Sequence, residues 1–241
     1  MTAPPVPAAA PDPDPVDAME IIATVSHELR SPLTSIKGFT SLLLSRWDGI
    51  ADDRKKEMLE QVRHDADRVT RMLTELLDIS RLEAGRLSLR VRPIDLRALA
   101  VSVVEKVALV EADLEATVTF PDELPEVDAD GDKVEQVLTN LVENAAKYAS
   151  PQGLRIDGAV TDGGVAVSVS DRGPGIPAED LPRVFERFFR REEGRPTGTG
   201  LGLWISRGLV EAHGGTLTAT STEGEGSTFC FTIPVAPTPP A

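Results

Sequence analysis

The chain has 241 residues, of which 41% are hydrophobic, 27% charged and only 4% aromatic, the composition of a globular protein with an aliphatic core. Its formal net charge of −14 argues against non-specific binding to nucleic acid or to an anionic membrane. Because the chain has one cysteine, it cannot form an internal disulfide. The sequence shows no signal peptide and no apolar run of about 20 residues. We therefore expect a cytoplasmic chain, or the cytoplasmic part of a longer protein, without direct membrane contact.

The first third of the chain is predicted to be a short leader followed by two long helices. Residues 1–16 are rich in Pro and Ala and predict a disordered leader, and residues 236–241 form a similar tail. In residues 17–87 apolar side chains recur at steps of three and four in two runs, the second starting with Asp52 or Asp53 as its N-cap. Two helices of about 30 residues cannot bury such broad stripes on each other, so we expect a homodimeric four-helix bundle.

Residues 88–235 mix helices with short strands. A sheet with helices on one face, an α/β sandwich, is the predicted architecture, so the fold class is a helical hairpin followed by an α/β sandwich. The pattern predicts strands at 88–95 and 114–120, helices at 96–110, 132–149 and 201–213, and hairpins at 154–171 and 216–234.

The stretch SHELRSPLTSIKGF places His27 beside Glu28 in the first helix. Imidazole titrates near neutral pH, and a neighbouring carboxylate can accept the proton of one ring nitrogen, which leaves the other nucleophilic toward phosphorus. Pro32 removes a backbone N–H and would loosen the helix just after this pair. A lone histidine on a helix flank is more often merely solvated, so this pattern leaves both interpretations open. His64 and His213 are interpreted as a helix-surface residue and a helix C-terminal cap.

Polar side chains suited to a nucleotide lie on the predicted helix 132–149. Asn140, Asn144 and Tyr148 are four residues apart on one face, with Lys147 close by. Asparagine is a poor residue inside a helix and seldom recurs at this spacing for packing reasons. An amide oxygen suits Mg²⁺ and a lysine ammonium suits phosphate.

Two glycine-containing turns and a phenylalanine cluster follow. Asp171 ends a strand in DRGPGIP, where its carboxylate can accept a hydrogen bond from an exocyclic amine, although the pattern also fits a surface turn. GTGLGL, residues 198–203, opens the last helix and would direct free N–H groups at a phosphate. VFERFFR, residues 184–190, holds three of the seven phenylalanines and predicts at least a small satellite core.

In this order the motifs resemble those of the sensor histidine kinases of two-component systems, over roughly residues 17–235. SHELRSPLTSI is similar to their H-box, NLVENAAKY to the N-box, DRGPGIP and GTGLGL to the two glycine boxes, and VFERFFR to the F-box. The resemblance implies a dimerisation and phosphotransfer domain at 17–87 and an ATP-binding domain of the GHKL (Bergerat) fold at 88–235.

The activity implied by the resemblance is autophosphorylation on His27 by ATP, with Glu28 orienting or deprotonating the imidazole. The phosphoryl group would pass to an aspartate of a response-regulator receiver domain. The resemblance places Mg²⁺ on Asn144, the phosphates near Lys147 and the adenine amine on Asp171. Further nucleotide contacts are expected from Asn140, Tyr148, Gly173, Gly175, Ile176, Arg187, Arg190, Thr199, Gly200, Leu201, Gly202 and Leu203, with Arg190 favoured over Arg187 for the γ-phosphate.

A mobile ATP lid is expected at residues 190–197 and an interdomain hinge at residues 80–93. One position departs from the family: Ser31 stands where Thr or Asn is usual, which leaves phosphatase activity open. Two alternatives remain, a serine kinase or other ATPase with the same nucleotide fold, and a catalytically inactive nucleotide-responsive dimer. The His–Glu pair argues against the first, and the presence of Asn144 and Asp171 against the second. A P-loop kinase is excluded because GxxxxGK[ST] is absent.

Overall fold

The computed structural model describes residues 15–109, 111, 113–149, 152–190 and 199–235, with side chains from residue 23 onward. By their contacts these residues form two units, and the chain passes from the first to the second between Leu87 and Ser88. Most of the predicted leader, the tail and nearly all of the predicted lid lie outside the described residues. No helix in the described ranges has the length and apolarity needed to cross a membrane.

The first unit is an antiparallel helical hairpin. Helix α1 spans Pro15–Arg46 and helix α2 spans Asp52–Glu83, joined through a short 3-10 turn. The N-cap of α2 is Ala51 without a side-chain bond, so the prediction that Asp52 or Asp53 caps this helix is wrong. Both aspartates lie in the first turn instead, where their charge favours the positive end of the helix dipole.

One copy of the hairpin leaves part of its apolar stripe uncovered. Val25 and Leu43 of α1 and Met58, Met72 and Ile79 of α2 are buried. Other apolar side chains remain in solvent, and a second helical pair could cover this face. These exposed side chains include Leu33, Leu44, Leu59, Leu73 and Leu77.

The second unit is an α/β sandwich, which confirms the predicted fold class. Its main sheet has the strand order β2-β4-β5-β7-β6, in which β2 and β4 are parallel and the other pairs antiparallel, and β1 pairs with β3 in a small second sheet. The elements are β1 Arg92–Ile94, α3 Leu96–Ala108, β2 Glu115–Thr119, β3 Val127–Ala129, α4 Gly131–Tyr148, β4 Gln152–Thr161, β5 Gly164–Ser170, α5 Gly202–Ala212, β6 Leu217–Thr222 and β7 Gly226–Pro234.

The core of this unit lies between one face of the sheet and the helices. Alternate residues of β5 and β7 are buried, including Val167 and Phe231, as the period of two along a strand requires. Leu138 and Leu141 of α4 and Leu209 of α5 are also buried. This packing fixes the helices on the sheet and turns their polar faces outward.

Candidate functional site

Helix α4 begins at a well-defined cap. The Asp130 carboxylate accepts hydrogen bonds from the backbone N–H groups of Asp132 at 3.2 Å and Lys133 at 3.4 Å. The apolar side of the helix is buried on the sheet and the other helices, which leaves Asn140 and Asn144 half-buried on its polar side. The i, i+4 spacing predicted from sequence therefore sets both amides on one face.

Asn140 ties α4 to the start of α5. Its Nδ2 donates to Ser206 Oγ at 2.9 Å, and its Oδ1 accepts from Asn144 Nδ2 at 3.4 Å. A Cβ added at Gly202 would lie 2.4 Å from Asn140 Oδ1, so any larger residue there would have to displace the Asn140 carboxamide. Ser206 was missed by sequence analysis, because a serine inside an apolar helix carries no signal until its partner is known.

Asn144 offers the side chain best suited to a cation. Because its Nδ2 is directed at Asn140, its Oδ1 is turned away from that bond. The described part of the chain contains no cluster of three His, Cys, Asp or Glu residues that could hold a metal by themselves. One amide oxygen fits Mg²⁺, which protein sites commonly hold through one or two side chains together with phosphate oxygens and waters.

Lys147 and Tyr148 lie at the C-terminal end of α4. The Lys147 ammonium is 4.7 Å from the centre of the Tyr148 ring, a cation–π arrangement. Both side chains are exposed, so a positive charge and an aromatic surface lie at the same end of the helix.

The Asp171 loop lies against this same end of α4. Asp171 Oδ1 accepts the backbone N–H of Gly173 at 2.8 Å and of Ser227 at 3.3 Å. Burial raises the pKa of Asp171 above its ordinary value, and these backbone hydrogen bonds partly oppose that shift. A Cβ at Gly173 would come within 2.6 Å of the Ala149 Cβ, which shows how closely the loop and the helix end approach.

The second glycine box precedes α5. Gly200 has φ +71°, in the left-handed region that favours glycine, and its carbonyl accepts the N–H of Phe188, which itself has φ +61°. The N-cap residue of α5, Leu201, has an apolar side chain that makes no cap hydrogen bond. The start of this helix carries the positive end of the helix dipole, which favours an anion. Next to it, the Arg187 guanidinium lies 4.4 Å from the centre of the Trp204 ring.

The structure thus brings the amide pair, the Asp171 loop and the second glycine box around α4. Asn140 meets Gly202 in the middle of the helix, and Ala149 meets Gly173 at its end, roughly 13 Å further along at 1.5 Å per residue. The other predicted residues take different positions: Gly175, Thr199 and Leu201 are buried, and Ile176, Arg190 and Leu203 are half-buried.

In the hairpin, His27 is exposed on α1. With Arg30, Ser31, Thr34 and Ser35 it lines a shallow groove of about 500 Å³. The imidazole is therefore accessible in one copy of the chain.

Glu28, next to it, is half-buried and receives a hydrogen bond and ion pair from Arg68 of α2 at 3.1 Å. Arg68 was missed by sequence analysis, because no local pattern links two residues 40 positions apart.

The other two histidines are placed differently. His64 is exposed on α2. His213 is buried: its Nδ1 lies 2.7 Å from the Leu209 carbonyl oxygen, and its Nε2 accepts the Asp130 N–H at 3.0 Å. Because an acceptor lies at Nδ1 and a donor at Nε2, the neutral tautomer with a proton on Nδ1 fits this site. His213 therefore joins the end of α5 to the start of α4.

Two protein-family models match the chain. Residues 18–85 match the His Kinase A (phospho-acceptor) domain, and residues 129–237 match the histidine kinase-, DNA gyrase B- and HSP90-like ATPase. The chain is 37% identical over 227 residues to the circadian input-output histidine kinase CikA of Synechococcus elongatus, covering 89% of this chain and 30% of CikA.

Solved structures of histidine kinases have the same fold. Full-length ShkA in complex with AMPPNP superposes with a TM-score of 0.66 at 28% identity, covering 92% of this chain and 47% of ShkA. Histidine kinase ThkA in complex with the response regulator TrrA gives a TM-score of 0.61 at 28% identity, covering 90% of this chain and 62% of that one. The chain spans between 24% and 42% of the length of the first curated relatives it matches.

Proposed function

This chain belongs to the sensor histidine kinases of two-component systems, and on that basis we propose that His27 accepts the γ-phosphoryl group of ATP. The ATPase domain implies ATP binding, and the phospho-acceptor domain implies dimerisation. The observation that carries the proposal is that α4 contacts both glycine boxes. Asn140 in the middle of α4 lies against Gly202, and the C-terminal end of α4 lies against the Asp171 loop. The complex of ShkA with AMPPNP, an analogue of ATP, supports this choice of nucleotide.

The second unit would hold the nucleotide by its two ends. The Asp171 carboxylate has Oδ1 fixed by two backbone N–H groups, so its other oxygen can accept the adenine amine. The N–H groups that open α5, together with Lys147 and Arg190, would bind the phosphates and stabilise the charge of the transition state. Mg²⁺, when bound through Asn144 Oδ1, would neutralise part of the phosphate charge.

The first unit would supply the acceptor. A nitrogen of the His27 imidazole attacks the γ-phosphorus, an N–P bond forms, the bond from phosphorus to the bridging oxygen breaks, and ADP leaves. The imidazole proton passes to Glu28, whose carboxylate is restrained by Arg68. His27 and Glu28 are neighbours in the H-box, and the contact between Arg68 and Glu28 supports this assignment of roles.

We further propose that the chain acts as a homodimer and passes its phosphoryl group to a response-regulator aspartate. The exposed leucines of α1 and α2 provide the apolar surface for a second copy. The structure of ThkA with the response regulator TrrA supports a receiver domain as the partner. Phosphatase activity through Ser31, which lies in the His27 groove, stays a prediction.

The test is incubation of the dimeric chain with Mg²⁺ and γ-labelled ATP. We expect an acid-labile, base-stable label that His27→Gln abolishes and His64→Gln, a control on an exposed helix position, retains. Asn144→Ala should also remove the label while leaving the unfolding midpoint close to that of the unaltered chain. Label that survives in His27→Gln would overturn the assignment, and if that label is acid-stable it would favour the serine kinase. Nucleotide binding by the unaltered chain without any label would favour the inactive dimer.

A further inference from the structure

The loop that carries Asp171 has its position set by another part of the chain. Residues 171–180 contain no helix or strand, so regular backbone pairing cannot fix their conformation. They lie against the end of the β6–β7 hairpin, which reaches this loop from more than 40 residues further along the sequence. The accuracy with which Asp171 is presented therefore depends on this hairpin.

Backbone contacts form most of the connection. The N–H of Asp171 donates to the Ser227 carbonyl at 2.9 Å, and the N–H of Gly224 donates to the Pro174 carbonyl at 2.7 Å. The approach is so close that a Cβ at Gly175 would lie 2.1 Å from the Thr222 carbonyl oxygen. These hydrogen bonds join backbone groups, so side-chain substitutions cannot remove them one at a time.

Ser221 is a side chain in this connection, and its hydroxyl is fully used. Its Oγ accepts the backbone N–H of Ile176 at 2.8 Å, donates to the Gly226 carbonyl at 2.7 Å and lies 3.0 Å from Ser227 Oγ. A hydroxyl has one proton to donate and two lone pairs to accept with. Because the proton goes to Gly226, the Ser227 hydroxyl must donate to Ser221, and both lone pairs are then occupied.

This small network holds the loop at both ends. Ile176 follows the closely packed Gly175, so Ser221 fixes the far end of the glycine turn. Ser227, which is paired with Ser221 across β6 and β7, donates its backbone N–H to Asp171 Oδ1 and so fixes the near end. Ser221 thus contacts one end of the loop directly and is hydrogen-bonded to the residue whose backbone N–H, together with that of Gly173, holds Asp171 Oδ1 at the other end.

We propose that Ser221 is a positioning residue for the nucleotide base: it holds the loop so that the free oxygen of Asp171 meets the adenine amine. This inference rests on the proposed function, because it assumes that the loop receives ATP. Guanine carries a carbonyl oxygen where adenine carries the amine, and a carboxylate repels it. Ser221 would therefore contribute to the preference for adenine as well as to affinity.

The substitution Ser221→Ala leaves the Ile176 N–H without its acceptor. We expect the dissociation constant for AMPPNP to rise about tenfold, which corresponds to about 1.4 kcal/mol and lies within the range for removing one partner of a hydrogen bond. The dissociation constant for GMPPNP should change much less, because guanine in the same orientation directs its O6 carbonyl, an acceptor, at Asp171. The preference for adenine over guanine should fall by nearly the same factor.

The experiment is calorimetric titration of the whole chain with AMPPNP and with GMPPNP. Ser221→Thr keeps the hydroxyl and should restore most of the affinity. Thr220→Ala is the matched control, since its side chain is exposed on the opposite face of the same strand and should leave both constants unchanged. Amide hydrogen exchange without nucleotide gives a second measurement, in which Ser221→Ala should speed exchange at Ile176 about tenfold and leave Val169 of β5 unaffected.

Two negative results can be told apart. If the unaltered chain does not bind AMPPNP, the proposed function and the role of Ser221 both fail. If it binds AMPPNP and Ser221→Ala binds it equally well with the same adenine preference, only the role of Ser221 fails. A general loss of folding in Ser221→Ala, with faster exchange at Val169 as well as at Ile176, would also overturn a specific positioning role.

Discussion

Gly202→Ala tests whether the contact between α4 and α5 positions the amides that face the nucleotide. An added Cβ would lie 2.4 Å from Asn140 Oδ1 and 3.0 Å from its Cγ. The carboxamide must withdraw by roughly 1 Å to reach an ordinary contact of about 3.5 Å. It is the end of a side chain and can rotate, but it then gives up its bonds to Ser206 at 2.9 Å and to Asn144 at 3.4 Å.

The size of the effect follows from these two hydrogen bonds. At about 1 kcal/mol net for each, the loss is about 1–2 kcal/mol, which corresponds to roughly 5- to 30-fold weaker nucleotide binding if the amides act together. The free energy of unfolding should fall less, because Gly202 does not have a positive φ and its replacement by alanine lowers the entropy of the unfolded chain, which stabilises by about 0.4–1 kcal/mol. Binding should therefore suffer more than stability.

Calorimetric titration with AMPPNP and chemical denaturation of the same samples measure both quantities. Gly38→Ala is the control, since Gly38 lies inside α1 with no atom within 4 Å of an added Cβ. It should leave nucleotide affinity unchanged and stabilise its helix by about 1 kcal/mol. Unaltered affinity in Gly202→Ala, or a loss of stability as large as the loss of binding, would refute the reasoning.

Three further substitutions probe separate parts of the molecule. Burial raises the pKa of Asp171, so ionising this carboxyl group costs more in the folded chain than in the unfolded chain. The folded chain therefore loses stability as the pH rises from the ordinary aspartate pKa of about 3.9 through the raised value, and the loss persists at neutral pH. Asp171→Asn should thus unfold at a higher temperature than the unaltered chain at pH 7, lose this advantage toward pH 4, and fail to bind ATP. Equal unfolding temperatures of the two proteins at both pH values would contradict the predicted direction of the effect. Arg68→Leu removes the cation 3.1 Å from Glu28 and should slow autophosphorylation at least about fivefold at an unchanged KM for ATP. The free energy of unfolding should change by less than about 1 kcal/mol. An unchanged rate would show that the ion pair does not position Glu28. Leu73→Asp places a charge on the exposed apolar face of α2 and should convert the dimer to a monomer in sedimentation experiments, whereas a persistent dimer would place the interface elsewhere.

The spacing of apolar and polar residues was sufficient to predict many of the helices and strands of this protein. The helical hairpin, the sheet with its hairpins and the amide face of α4 all follow from periods of 3.6 and 2 that any stretch of chain carries within itself. Asp171 at a strand end and the glycines before α5 could likewise be recognised, because turns and helix starts demand particular residues locally. The N-cap of α2 could not be recognised in this way. The capping position is decided by the residue at which the backbone angles become helical, and in this structure that residue is preceded by Ala51.

Contacts between distant residues were decided by the tertiary structure. Glu28 meets Arg68 across two helices, Asn140 meets Ser206 from 66 positions away, and Ser221 meets the Asp171 loop from 45 positions away. Each partner is a common polar residue in an ordinary element, and nothing in its neighbours distinguishes it. Sequence periodicity determines which face of an element is buried, but only packing determines which atom of another element comes within 3 Å of it, because hydrogen bonds depend on tenths of an ångström that helix and strand periods do not encode.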